Sequence, residues 1–138
     1  VRAARQTFVF ADPYCPYFKE FWAAAQPWIS AGKVQLNTLL VAILTPKSGQ
    51  VASAILNSSD PASAWHDYEL SGGKKIPAPT TATPPAITGQ LQYNQQLMDQ
   101  LGANGTPAIY YMDENNELQQ VIGMPATDQL TSIFGPLN

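Results

Sequence analysis

The sequence predicts an α/β sandwich with a mixed sheet, and three observations predict it. Two short apolar, β-rich segments, residues 7–11 and 34–41, flank a stretch whose apolar residues recur at helical spacing. The β signal then disappears between Thr45 and Leu101. It returns in two segments, 108–112 and 118–122, joined by a turn too short to link parallel strands. The order is therefore β-α-β, a helical insertion, then β-β-α. At 138 residues the chain has the length of one domain.

Each element has a local reason. Thr7-Phe8-Val9-Phe10-Ala11 reads as a central strand covered on both faces. Asp12-Pro13-Tyr14 ends it, and Cys15-Pro16 opens a helix whose stripe is Phe18, Phe21, Trp22, Ala25 and Ile29. Pro27 lacks an amide hydrogen and crowds the carbonyl of Ala23, which predicts a kink in the last turns. Ala31-Gly32 stops the helix, and Val34, Leu36 and Leu40 mark the second strand. Residues 50–57 predict a short helix, and Asp60-Pro61 caps and opens another that runs to Tyr68. Ser71-Gly72-Gly73 ends that one. Residues 74–85, with Pro77, Pro79, Pro84 and Pro85, read as an extended surface loop. Residues 88–101 return to helix with Leu91, Leu97, Met98 and Leu101 inward. Thr106-Pro107 feeds the strand 108–112, residues 113–116 turn, residues 118–122 pair back, and residues 127–134 close the chain as a helix.

Composition excludes several functions. The chain carries 7 basic and 10 acidic residues, a formal net charge of −3. Lys74-Lys75 is the only adjacent basic pair, so a surface that tracks nucleic-acid phosphates is not expected. The longest apolar run, residues 39–44, is too short to insert in a membrane. One cysteine and one histidine leave no basis for a metal site or an internal disulfide, and no cofactor motif is present. Val1 is not an initiator methionine, so the chain reads as a mature product or an excised domain without a signal peptide. Abundant Gln and Asn with few lysines would suit an extracytoplasmic protein.

Two features carry chemistry. Cys15 stands where a strand gives way to a helix, and the unpaired amides of a helix start favour a thiolate nucleophile. Read by itself, the same cysteine is equally a small buried hydrophobe. Thr106-Pro107 at a strand entrance is either a tolerated edge proline or a cis bond. Asp12 reads as a cap of the turn, and its charge would oppose a thiolate nearby. Tyr14 and Tyr17 are expected around the thiol, Trp22 and Trp28 in packing. His66 is expected at a helix surface or core edge rather than as a base for Cys15.

Longer strings raise a resemblance. They are Phe8-Val9-Phe10-Ala11-Asp12-Pro13, Cys15-Pro16-Tyr17, Phe21-Trp22, Pro27-Trp28 and Gly32-Lys33-Val34-Gln35-Leu36. Leu97-Met98-Asp99, Leu101-Gly102-Ala103-Asn104 and Thr106-Pro107-Ala108-Ile109-Tyr110-Tyr111-Met112 continue the series. In these the chain resembles the catalytic domain of the bacterial periplasmic protein-disulfide isomerases of the DsbC/DsbG family, closest to the DsbG type, over essentially its whole length.

The resemblance implies a thioredoxin-like fold with a helical insertion between the second and third core strands. Residues 1–6 would be the remnant of an upstream linker helix, 7–45 and 105–138 the two parts of the core, and 46–104 the insertion. Cys15 would be the attacking cysteine, exposed at the helix start. Pro16, Tyr17 and Phe18 would be its motif neighbours, with Tyr14, Thr106 and Pro107 binding substrate beside a cis-proline loop. Partners would be misfolded or cysteine-containing periplasmic proteins, and an external thiol as reductant. Family members dimerise through an amino-terminal domain that is missing here, so this piece is expected to be monomeric.

One departure matters most. The family motif is Cys-Pro-Tyr-Cys, and this chain reads Cys15-Pro16-Tyr17-Phe18. Without a resolving cysteine no internal motif disulfide can form, which excludes a self-contained two-cysteine cycle. Three functions stay open: an isomerase-type thiol-disulfide exchange domain, a non-catalytic or chaperone-like binding domain, and a single-cysteine redox protein oxidised or glutathionylated at Cys15.

Overall fold

Strand β1 (Arg5–Ala11) lies inside a four-stranded sheet of order β2-β1-β3-β4, with β2 (Val34–Leu40), β3 (Ala108–Met112) and β4 (Leu118–Ile122). This computed structural model describes residues 5–45, 47–77 and 84–136. β1 and β2 are parallel, with Phe8 opposite Asn37 and Ala11 opposite Leu40. β3 is antiparallel to β1, Val9 facing Ile109, and to β4, Tyr110 facing Gln120. The sheet is thus mixed, as the chain order requires.

Helix α1 (Pro16–Ser30) crosses from β1 to β2. Helices α2 (Ser48–Leu56), α3 (Pro61–Leu70) and α4 (Pro85–Gln100) lie between β2 and β3, and α5 (Thr127–Phe134) ends the fold. This is an α/β thioredoxin-like architecture with a helical insertion between core strands. The main core joins Val9 and Ala11 of β1 to Phe18, Phe21 and Ala25 of α1, Ile55 of α2, Trp65 and Tyr68 of α3, and Ile133 of α5. On the other face Phe10 packs with Met98 of α4, and its ring meets Tyr110 edge-on at 5.9 Å.

Several expectations are corrected. β1 begins at Arg5, so Arg5 and Gln6 belong to the sheet rather than to a linker helix; residues 1–4 lie outside the described residues. β1 is covered on both faces only over its second half, since Phe8 is 48% exposed. The cover on that face, Met98 of α4, meets Phe10. α4 starts at Pro85 with Pro84 as its cap, so both prolines belong to a helix start, where a missing amide costs little. Pro79 and the rest of 78–83 lie outside the described residues. On α4 Leu101 is exposed, and the buried positions are Met98 and Asn94, whose side-chain amide donates to Leu40 O at 3.0 Å. Helix α1 runs through Pro27 to Ser30 before Gly32, at φ 71°, turns the chain.

Candidate active site

The end of β1 and the start of α1 are joined by a tight turn built on Asp12. Asp12 is fully buried and accepts four hydrogen bonds. Tyr14 N and Ser48 Oγ reach Oδ1 at 2.9 and 2.7 Å, while Ile43 N and Leu44 N reach Oδ2 at 2.7 and 2.9 Å. Cys15 N donates to Asp12 O at 3.0 Å. Asp12 therefore does more than cap its own turn. It ties the Cys15 loop to the segment after β2 and to the start of α2. Local sequence showed only the cap, because three of its donors lie more than thirty residues away.

Cys15 is the N-cap of α1, in extended backbone conformation. Its sulfur accepts from Phe18 N at 3.4 Å, satisfying one of the amides a helix start leaves unpaired. The thiol donates to Thr106 O, also at 3.4 Å. The Thr106–Pro107 peptide bond is cis, and Gly123 N donates to Pro107 O at 2.8 Å, fastening that loop to the end of β4. The structure thus brings Cys15, Phe18 and Thr106 together, although the first and last are 91 residues apart in the chain.

The expected exposure of Cys15 is corrected: the residue is 2% exposed. The Thr106 carbonyl sits on the thiol, and Tyr14 beside it is half-buried. Pro16 and Tyr17 face solvent, and Pro107 is buried. Thr106 Oγ1 is buried without a hydrogen-bond partner among the described residues, a free polar group next to the sulfur's contact. Phe18 is wholly buried, its ring 5.3 Å from Trp65 and 6.2 Å from Phe21. Trp28 packs on Phe134 at 5.4 Å, and Trp22 meets the exposed His66 edge-on at 5.3 Å. His66 pairs loosely with Asp67 at 3.7 Å.

A second layer was not foreseen. Tyr68 and Lys19 both donate to Pro13 O, at 2.7 and 2.9 Å, two residues ahead of Cys15. Burial pushes the Tyr68 phenol up to about 12, so it stays a donor throughout the neutral range. Glu69 lies beside Lys19 at 3.7 Å, and burial raises its carboxyl to about 7 with Lys19 opposing the shift. One signal was available in the sequence. Glu69 falls four residues after Trp65, in line with a buried helix face. Among the described residues no cluster of three or more His, Cys, Asp and Glu is placed to hold a metal.

A curated relative, the thiol:disulfide interchange protein DsbG of Escherichia coli K12, is 52% identical over 129 residues, 93% of this chain and 52% of its own. The chain is a thioredoxin-like domain related to the DsbG disulfide-interchange proteins. The Pseudomonas aeruginosa DsbG is 42% identical over 134 residues, 97% of this chain and 52% of that protein. This DsbG-related chain therefore spans about half the length of the curated relatives it matches. The crystal structure of a disulfide interchange protein from Neisseria gonorrhoeae superposes with a TM-score of 0.69 at 25% identity, over 96% of this chain and 86% of that one. No family model matches the chain.

Proposed function

We propose that this domain is a single-cysteine thiol-disulfide exchange domain in which Cys15 carries a mixed disulfide that an outside thiol must remove. The observation that supports the reading best is the pairing of a helix-start sulfur with a buried phenylalanine three residues on. The sulfur has the surroundings of a nucleophile, and the position that would resolve its adduct is filled by hydrocarbon.

The chemistry balances without a second protein thiol. Cys15, having given up its proton, attacks one sulfur of a disulfide RS–SR′. A Cys15–SR bond forms, the S–S bond breaks, and R′S⁻ leaves. With glutathione disulfide as RS–SR′ the product is glutathionylated Cys15 and free glutathione. With a client protein it is a covalent complex. A client's own second thiol, or an external one, then attacks the adduct and restores Cys15. When the client's own thiol does so, disulfides are rearranged with no net electron transfer, which is isomerisation.

Tyr14, Thr106 and Pro107 are proposed to hold the substrate backbone beside the sulfur, and Tyr17 to offer it an exposed apolar surface. Thr106 Oγ1, unpartnered on the residue whose carbonyl meets Cys15, supports that role. Because Cys15 is covered, attack on a protein disulfide requires the Thr106 carbonyl to yield its contact. The partners proposed are cysteine-containing or misfolded proteins, the setting the periplasm, and the reductant an external thiol. A binding domain that holds clients without exchange is the competing reading, and the burial of Cys15 is the observation in its favour.

Incubation of the reduced chain with a peptide disulfide, followed by mass spectrometry, tests the reading. It predicts a 1:1 adduct that is absent from a Cys15→Ser variant. Unmodified protein after a time in which β-mercaptoethanol reacts fully would favour the binding domain.

A further inference from the structure

Glu69 is a buried acid that the chemistry above does not use. Its side chain is closed to solvent on the α3 face that also carries Trp65 and Tyr68. Neither carboxyl oxygen has a hydrogen-bond partner among the described residues, and Lys19 Nζ stands off at 3.7 Å. A desolvated carboxyl without donors is costly to keep. Lys19 is meanwhile held in place by other groups. Its ammonium lies 4.8 Å from the Tyr68 ring centroid and donates to Pro13 O at 2.9 Å. Gly73, at φ 88°, lies against Lys19 and Tyr68. A Cβ there would come within 3.4 Å of Tyr68 Oη and 3.6 Å of Lys19 Cε.

We propose that Glu69 is a positioning residue for Cys15 that acts through Lys19, setting how much positive charge is felt at the start of α1. The inference rests on the reading of Cys15 as the nucleophile. Lys19 follows Cys15 by one helical turn, and its ammonium is bound to the loop that precedes Cys15. When Glu69 is neutral, that charge stands alone and steadies the negative charge of a sulfur attacking a disulfide. When Glu69 ionises, the pair becomes neutral as a whole and the support is cancelled.

The change of state falls near neutral pH, because burial holds the Glu69 carboxyl up at about 7. The charged and titratable groups that bear on it are Lys19 from α1 and Tyr68 from its own helix; Asp12 and Tyr14 of the β1–α1 loop bear on Tyr68. Tyr68 does not change state in this range. Glu69 is therefore the switching member of the group.

The test is the rate at which iodoacetamide alkylates Cys15 in the wild-type chain, Glu69→Gln and Lys19→Met, at pH 5.5 and pH 8. The Glu69→Gln rate relative to wild type should be near one at pH 5.5. At pH 8 it should rise to about threefold, as removal of one nearby charge allows. Lys19→Met should abolish that rise when combined with Glu69→Gln. A residue with only a structural role would shift both rates by the same factor, so a pH-independent ratio overturns the proposal. Should Glu69→Gln fail to fold by circular dichroism, wild type over Lys19→Met gives the same reading. That ratio should fall between pH 5.5 and pH 8, and a constant one overturns the proposal. A Cys15 unreactive in every folded variant would instead overturn the nucleophile reading on which this inference rests.

Discussion

The backbone amide of Phe18 donates to the sulfur of Cys15 at 3.4 Å, while its ring is fully buried 5.3 Å from Trp65. One residue meets the thiol through its main chain and fills the core with hydrocarbon through its side chain. The amide contact follows from the N-cap geometry and does not depend on the side chain. The amide contact at the start of α1 is therefore independent of the phenylalanine ring, whereas on the reading proposed above that ring fills the place of the thiol that would release an adduct.

Phe18→Cys should show this separation directly. The variant loses a core ring, at a cost of about 3 kcal/mol or more, read as a lower urea midpoint. Its oxidised form should also lose two hydrogens by mass as an internal disulfide closes with Cys15. A folded variant whose thiols stay free under oxidant would show that Phe18 does not occupy a resolving position.

Asp12 holds four donors from three parts of the chain. Asp12→Ala leaves them without a protein acceptor, and about 3 kcal/mol or more of stability should go with it. Chemical denaturation measures the loss. A change under about 1 kcal/mol would mean that water replaces the carboxylate at each donor.

Tyr68→Phe removes one of the two donors on Pro13 O while keeping the ring that stacks on Trp65 at 5.8 Å. The expected loss is about 1–2 kcal/mol, with the Cys15 alkylation rate altered because the loop ahead of it is less well held. An unchanged rate would show that Lys19 alone fixes the loop.

Glu69 gives the protein a pH dependence of definite sign. Its carboxyl titrates at about 7 when folded, against an ordinary 4.5. Between those values the native state binds more protons than the unfolded chain, so stability falls as pH rises. The contribution is fully present below about pH 4.5 and gone above about pH 7, a difference of about 3 kcal/mol. Urea midpoints across this range should fall in the wild type and fall less in Glu69→Gln, which should be the more stable protein at pH 8. Parallel curves would remove Glu69 as the cause.

The elements legible in the sequence are those set by near neighbours. The stripe of Phe18, Phe21 and Ala25 is buried as its spacing requires, and Asp60 caps α3 by accepting from Ser63 N at 3.3 Å. The turn between β3 and β4 closes on Asp113, which accepts from Asn115 N and Glu117 N at 2.9 Å each. What was missed depends on contacts across the fold. Cys15 is covered by the Thr106 carbonyl, which nothing near residue 15 encodes. Asn94 is buried because Leu40 O needs a donor, whereas Leu101, apolar and in phase, ends the helix in solvent. The resemblance to known isomerases supplied the nearness of Cys15 to Thr106-Pro107. It did not supply the burial of the thiol or the Lys19–Glu69 pair, whose lysine holds the loop ahead of Cys15.

The lifetime of the Cys15 mixed disulfide tests the central claim most directly. A purified 1:1 adduct with a single-thiol peptide can be followed by mass spectrometry, with and without glutathione. The peptide holds no second thiol and the chain has only Cys15, so nothing within the adduct can attack it. The adduct should persist alone and clear in proportion to the glutathione added. Rapid release of free peptide without any added thiol would contradict the account.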